Sequence, residues 1–180
     1  MGSPADEAGR FSAEGPQHEV VLSAGFWLFD TPCTQALWQA VMGSNPSRFK
    51  GAKRPVEQVS WEDCQQFLSR LQQQVPELSL ALPTEAQWEY ACRAGTTTAR
   101  YAADVDTIAW YREDSRGETH EVGQKQPNAW GLYDMLGNVF EWCQDGMRGY
   151  TETGVADPVG PVEAGAWRAI RGGSWDDGAR

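Results

Sequence analysis

The sequence predicts an α+β domain, with helices in its first half and short β-strands in a loop-rich second half. Three observations predict it. Two capping boxes, at 60–63 and 84–87, open runs whose apolar residues recur at three- and four-residue spacing. No helical period persists beyond Thr96. Nine Trp, nineteen Gly and ten Pro describe a chain that turns often and anchors itself on large aromatics. At 180 residues it reads as one domain with room for a core.

The elements follow in order. Residues 1–17, rich in Gly, Pro and charge, read as loop. The Val-rich stretch 18–22 predicts a strand, which 25–29 continues with aromatics. The pattern over 34–42 predicts a helix with Leu37, Trp38, Val41 and Met42 on one face, stopped by Gly43. Asn45-Pro46-Ser47 is a turn, because the residue before Pro avoids helix and Asx side chains support turns. In the first capping box the Ser60 oxygen takes an N3 amide and Asp63 reaches back. Its helix carries Trp61, Cys64, Phe67, Leu68 and Leu71, and Pro76 ends the region. The second box has Thr84 at the cap and Gln87 at N3; its helix runs to about Arg93, with Gly95 as the stop. Turns and short strands follow, including 167–170 before Gly172-Gly173.

Charge narrows the partners. A formal net charge of −10 argues against nucleic acid, whose phosphates demand Lys and Arg, and suits a cationic ligand or bound metal cations. No run of eighteen apolar residues predicts a membrane span, and no apolar signal segment opens the chain. The expected partner is a protein or a small-molecule ligand. Cys33, Cys64, Cys92 and Cys143 form no C-x-x-C pair and neither His lies near one, which argues against zinc. Four cysteines allow three disulfide pairings; the sequence neither chooses among them nor excludes free thiols acting as small hydrophobes.

Longer strings carry more. Leu82-Pro83-Thr84-Glu85-Ala86-Gln87-Trp88-Glu89-Tyr90-Ala91, the run from Pro127 through Gly137-Asn138 to Trp142, and Arg171-Gly172-Gly173-Ser174-Trp175 occur in order. So does Pro55-Val56-Glu57-Gln58-Val59-Ser60-Trp61 before the second helix. Together they resemble the signatures of the formylglycine-generating-enzyme-like, or sulfatase-modifying-factor, family over essentially the whole chain. The resemblance implies a compact C-type-lectin-like α+β fold, low in regular structure. It leaves function open, because function belongs to sites rather than folds.

The family's oxidases hold copper(I) with two cysteines, the first three residues after the Ser of their G-G-S-[WY] string. Here that position is Asp177, a hard oxygen where a soft thiolate is needed, and the second falls beyond Arg180. Ser174 matches a serine near the oxidase active site. The resemblance therefore implies an oxidase-like domain that is not a working formylglycine-generating oxidase, with copper not expected. The alternatives are a non-catalytic ligand-binding or structural module, or an oxidoreductase using residues outside this chain. Met1-Gly2-Ser3 resembles a string that family members carry internally, and their Arg-rich strand would follow Arg180. The expectation is a piece cut at both ends, whose 167–175 strand lacks its C-terminal neighbour.

The resemblance also implies a calcium loop made by Asp134, the Gly137 and Val139 carbonyls and the Glu141 carboxylate, hard oxygens of the kind calcium takes. On residues alone, Asp134 caps a turn and Glu141 faces solvent. A second calcium site is implied at Asp114 with the Arg116 carbonyl. His18 and His120 read as lone structural histidines. Trp61, Trp88, Trp130, Trp142 and Trp175 are expected to pack in the core rather than form a carbohydrate platform. Arg171 is expected to pair with a buried carboxylate.

Overall fold

The computed structural model describes residues 1–163 and 165–179. Its helices come first: α1 (Gln35–Met42), α2 (Trp61–Gln74) and α3 (Glu85–Arg93). The strands are short: β1 (Val20–Val21), β2 (Ala109–Trp110), β3 (Leu136–Gly137), β4 (Glu141–Gly146), β5 (Val155–Ala156) and β6 (Arg168–Arg171). They form two-stranded pairs, β1 with β5 and β2 with β3 parallel, β4 with β6 antiparallel. The Arg-rich strand expected after Arg180 lies outside the described residues.

Each helix starts where a side-chain oxygen satisfies an orphan amide. Thr34 Oγ1 accepts from Leu37 N at 3.3 Å. Ser60 and Asp63, then Thr84 and Gln87, complete both reciprocal capping boxes. Gly43 closes α1 at φ 82°. The end of α3 differs from the expectation. Ala94 takes the left-handed position at φ 44°, one residue before Gly95. The buried amide of Asn128 explains the arrangement, donating to the Ala91 and Cys92 carbonyls at 2.8 and 3.2 Å and so capping the helix from outside it.

Two apolar clusters divide the molecule. Trp38, Val41 and Phe67 knit α1 to α2, with Trp38 and Phe67 stacked at 5.0 Å. Trp88, Ala91, Cys92, Leu132, Met135, Cys143 and Ala169 gather α3 onto β4 and β6. Indoles stitch the two together: Trp61 Nε1 donates to Cys143 O at 2.9 Å and Trp142 Nε1 to Val59 O at 3.1 Å. The expected carboxylate of Arg171 is Glu89, at 2.6 Å; the same side chain takes Arg93 Nε and the Gly2 amide, each at 2.9 Å.

Two expectations fail. Residues 25–29 form no strand; Phe26 and Leu28 pack on the core while Trp27 and Phe29 are exposed. Alternation reports one buried side, and this segment has that side without ladder bonds. Trp130 is 48% exposed, lying edge-on to Tyr90 at 5.0 Å, because the Asn128 turn directs it outward. No helix is long and apolar enough to cross a membrane among the described residues.

Candidate functional site

The turn between β3 and β4 concentrates unusual backbone. Asp134, Gly137 and Asn138 all have positive φ, at 54°, 78° and 60°. Glycine is required at 137: a Cβ there would sit 2.3 Å from Trp110 O, because β3 runs hard against β2. Asn138 tolerates the left-handed region better than most residues. Its side chain receives His120 N at 3.0 Å and donates to His120 O at 3.1 Å. Its backbone donates to Trp110 O at 2.7 Å and accepts from Trp175 N at 3.0 Å. This wholly buried amide is the hub of the second half. The Gly137-Asn138 pair marks the turn in the sequence, but the bonds its buried amide makes to His120, 18 residues away, are not legible there.

The turn brings two carboxylates indoors. Asp134 is 1% exposed; its Oδ2 accepts from Gly123 N at 2.7 Å, while Oδ1 is buried with no hydrogen-bond partner. Burial pushes this carboxyl above the usual carboxylate range, against the pull of the Gly123 amide. Glu141 accepts from Trp88 Nε1 at 2.8 Å. Burial pushes it up to about 7, the Trp88 bond offsets part of that, and the Asp134 charge raises it further. The plain reading of a solvent-facing Glu141 is thus overturned: its carboxylate is tucked under the Trp88 indole. Val139 O and Met135 O lie 3.8 and 3.2 Å from where a Cβ on Gly172 would sit. Carbonyl oxygens therefore line the gap that this glycine leaves open. Two buried carboxylates, Asp134 with an orphan oxygen and Glu141 raised in part by the Asp134 charge, are hard-oxygen groups of the kind that a cation such as calcium takes. Among the described residues no three His, Cys, Asp or Glu side chains gather to hold a metal, so such a cation would depend on backbone oxygen.

Asp114 is differently placed. Lys125 Nζ lies 2.6 Å from Asp114 Oδ2 and 3.9 Å from the Trp110 ring centroid, and the Tyr111 amide takes the other oxygen. An ammonium thus already neutralises this carboxylate. Arg116, at φ 59°, follows in the adjoining turn.

Ser174 and Asp177 form a closed turn. Ser174 Oγ donates to Asp177 Oδ2 at 2.7 Å, and Asp177 N donates to Ser174 O at 3.1 Å. The loop before Ser115 holds it: Arg112 N donates to Asp177 O at 2.9 Å and Ser115 Oγ to Trp175 O at 2.8 Å. The cysteines lie elsewhere. Cys33 and Cys64 pack in the α1–α2 cluster, Cys92 and Cys143 in the α3–β4 core. Burial raises all four thiols, to about 12 at Cys33 and Cys92, about 11 at Cys64, and upward at Cys143. A cavity of about 190 Å³ beside the Glu89–Arg171 pair, lined also by Ser3, Trp88, Arg93 and Tyr150, had no signal in the sequence. His18 is structural, as expected: it is buried, with Nδ1 against Pro16 O and Nε2 against Arg148.

A family model described as the sulfatase-modifying factor enzyme 1-like domain matches residues 1–179. The chaperone protein LppX of Paenibacillus barcinonensis is 29% identical, over 86% of this chain and 71% of its own length. The formylglycine-generating enzyme of Streptomyces coelicolor is 31% identical over 94% of this chain, which spans 60% of that enzyme. Among solved structures, PvdO from Pseudomonas aeruginosa superposes with a TM-score of 0.82 at 26% identity, covering 99% of this chain and 79% of PvdO.

Proposed function

The chain belongs to the sulfatase-modifying factor enzyme 1-like family, with its C-type-lectin-like fold, and on that premise we propose a calcium-stabilised binding or structural module that does not perform the formylglycine-generating oxidation. The observation that carries this reading is the Ser174–Asp177 turn. By the family resemblance, Asp177 stands where the oxidases place their first copper-binding thiolate. The turn offers a hydroxyl and a carboxylate, hard oxygens that suit copper(I) poorly. The four thiols of this chain lie in other clusters, where burial raises each of them above the usual thiol range. Copper does not fit the residues present. A relative named as a chaperone is compatible with a role for this scaffold other than catalysis.

Calcium fits better. Asp134, with its orphan oxygen, and Glu141 would supply charge, and Gly137 and Val139 their carbonyls. The Lys125 ammonium at Asp114 supports one calcium rather than two. The deciding assay incubates the protein with a C-x-P-x-R peptide, copper(I), oxygen and a reductant, and follows peptide mass. No formylglycine above a protein-free control is expected; product above it overturns the reading.

A further inference from the structure

The proposed function leaves the four free thiols without a role, and they are not equivalent. Cys92 and Cys143 share the inner core. Cys33 and Cys64 are only partly buried and border one small cluster, formed by Trp38, Val41 and Phe67. Cys33 immediately precedes the α1 cap, and its carbonyl accepts from Val56 N at 2.9 Å in the segment leading to α2. Cys64 lies in the first turn of α2. It shares a face with Phe67, one turn on, and Phe67 stacks on Trp38 of α1. That face turns toward the helix that Cys33 introduces.

We propose that Cys33 and Cys64 are a disulfide-forming pair, a modification site that joins the start of α1 to the start of α2 when a low-molecular-weight disulfide is present. Their electrostatics agree with this closeness. Burial is the main cause that raises the Cys33 thiol, and the charge of Cys64 comes next. Cys92 and Cys143 show no such influence from another cysteine. The reaction balances as thiol–disulfide exchange. The Cys64 thiolate attacks one sulfur of the oxidant, forming a mixed disulfide and releasing one thiolate. The Cys33 thiolate then attacks Cys64 sulfur and releases the second. Two protein thiols are oxidised, one external disulfide is reduced to two thiols, and the two protons given up by Cys33 and Cys64 end on those two released thiols. The bond would close a loop of about 30 residues, restricting the unfolded chain.

The test uses the intact chain and oxidised glutathione. Thiols counted after denaturation should fall from four to two. The mass should drop by two hydrogens, and the melting temperature should rise by about 5–10 °C, reversibly with dithiothreitol. Trypsin cuts after Arg48, Lys50 and Lys53, so a peptide ending at Arg48 linked to one spanning 54–70 identifies the pair. Cys64→Ser should leave three thiols that stay free. Four surviving wild-type thiols, glutathione adducts without closure, a different linked pair, or a disulfide formed in Cys64→Ser would each overturn the assignment.

Discussion

The turn at 134–141 and the turn at 174–177 sit side by side, joined through Asn138, yet they treat their polar atoms oppositely. At 174–177 the Asp177 carboxylate meets a hydroxyl, and neighbouring backbone groups meet Ser115 and Arg112. At 134–141 an Asp134 carboxylate oxygen is buried without a hydrogen-bond partner, and the Asp134 charge adds to the cost of ionising Glu141. The first turn is finished by its own residues. The second keeps an unsatisfied buried oxygen, which is the feature that the proposed calcium would meet. Oxygen atoms alone therefore do not mark a binding site; unsatisfied ones do.

The sharpest way to break the comparison is to remove the residue that both turns share. Asn138→Ala strands the His120 amide and carbonyl and forces alanine into φ near 60°. A loss of about 3–5 kcal/mol is expected in urea unfolding. Asn138→Gly should recover about 1 kcal/mol of it, because only the backbone penalty is relieved. If both variants unfold like wild type, Asn138 does not hold the two turns together. Next in size is the cation itself. Millimolar calcium should stabilise the protein against an EGTA sample by about 4 kcal/mol if the ion binds at micromolar affinity, and by more if it binds tighter. Glu141→Gln should shrink that difference. Coincident melts with calcium and with EGTA would remove the calcium loop from the proposal.

The contrast also shows what the sequence could carry. The helices were legible because each start is encoded within four residues, as at Ser60 and Thr84, and each face by local spacing. In the second half the strand at 167–170 was legible, and it is β6, but the other strands are two to six residues long and pair with residues far away in sequence. Arg171 announced a need for a carboxylate, but only the fold selected Glu89, 82 positions away. The site residues were named through family strings. That Asp134 keeps an orphan oxygen and Asp114 does not depends on where Gly123 and Lys125 fall, which no local pattern states.

Acidity sharpens the comparison further. Glu141 moves from its ordinary 4.5 to about 7, chiefly by burial. A carboxyl raised in the folded state binds its proton more tightly there, so its contribution to stability is complete below about pH 4.5. That contribution is lost as pH climbs through about 7. In EGTA, wild type should lose about 2–3 kcal/mol relative to Glu141→Gln between pH 5 and 8. Saturating calcium should flatten the slope, because the bound cation favours the ionised form. A wild-type profile parallel to Glu141→Gln in EGTA would show that the carboxylate is not confined as described.

The smallest effect is expected at the finished turn. Ser174→Ala removes one donor from Asp177 Oδ2, but that carboxylate is only partly buried and water can replace the hydroxyl. The net worth of such a bond is about 1 kcal/mol. The backbone bonds Asp177 N to Ser174 O and Arg112 N to Asp177 O need no side chain and should keep the turn in shape. Calcium response should therefore be unchanged in this variant, measured as the difference between melts in calcium and in EGTA. Asp177→Asn should behave alike, since its amide carbonyl still accepts from Ser174. A calcium response that vanishes in either variant would mean that the two turns form one site, with Asp177 supplying an oxygen to the ion. The division between a satisfied turn and an unsatisfied one would then be wrong.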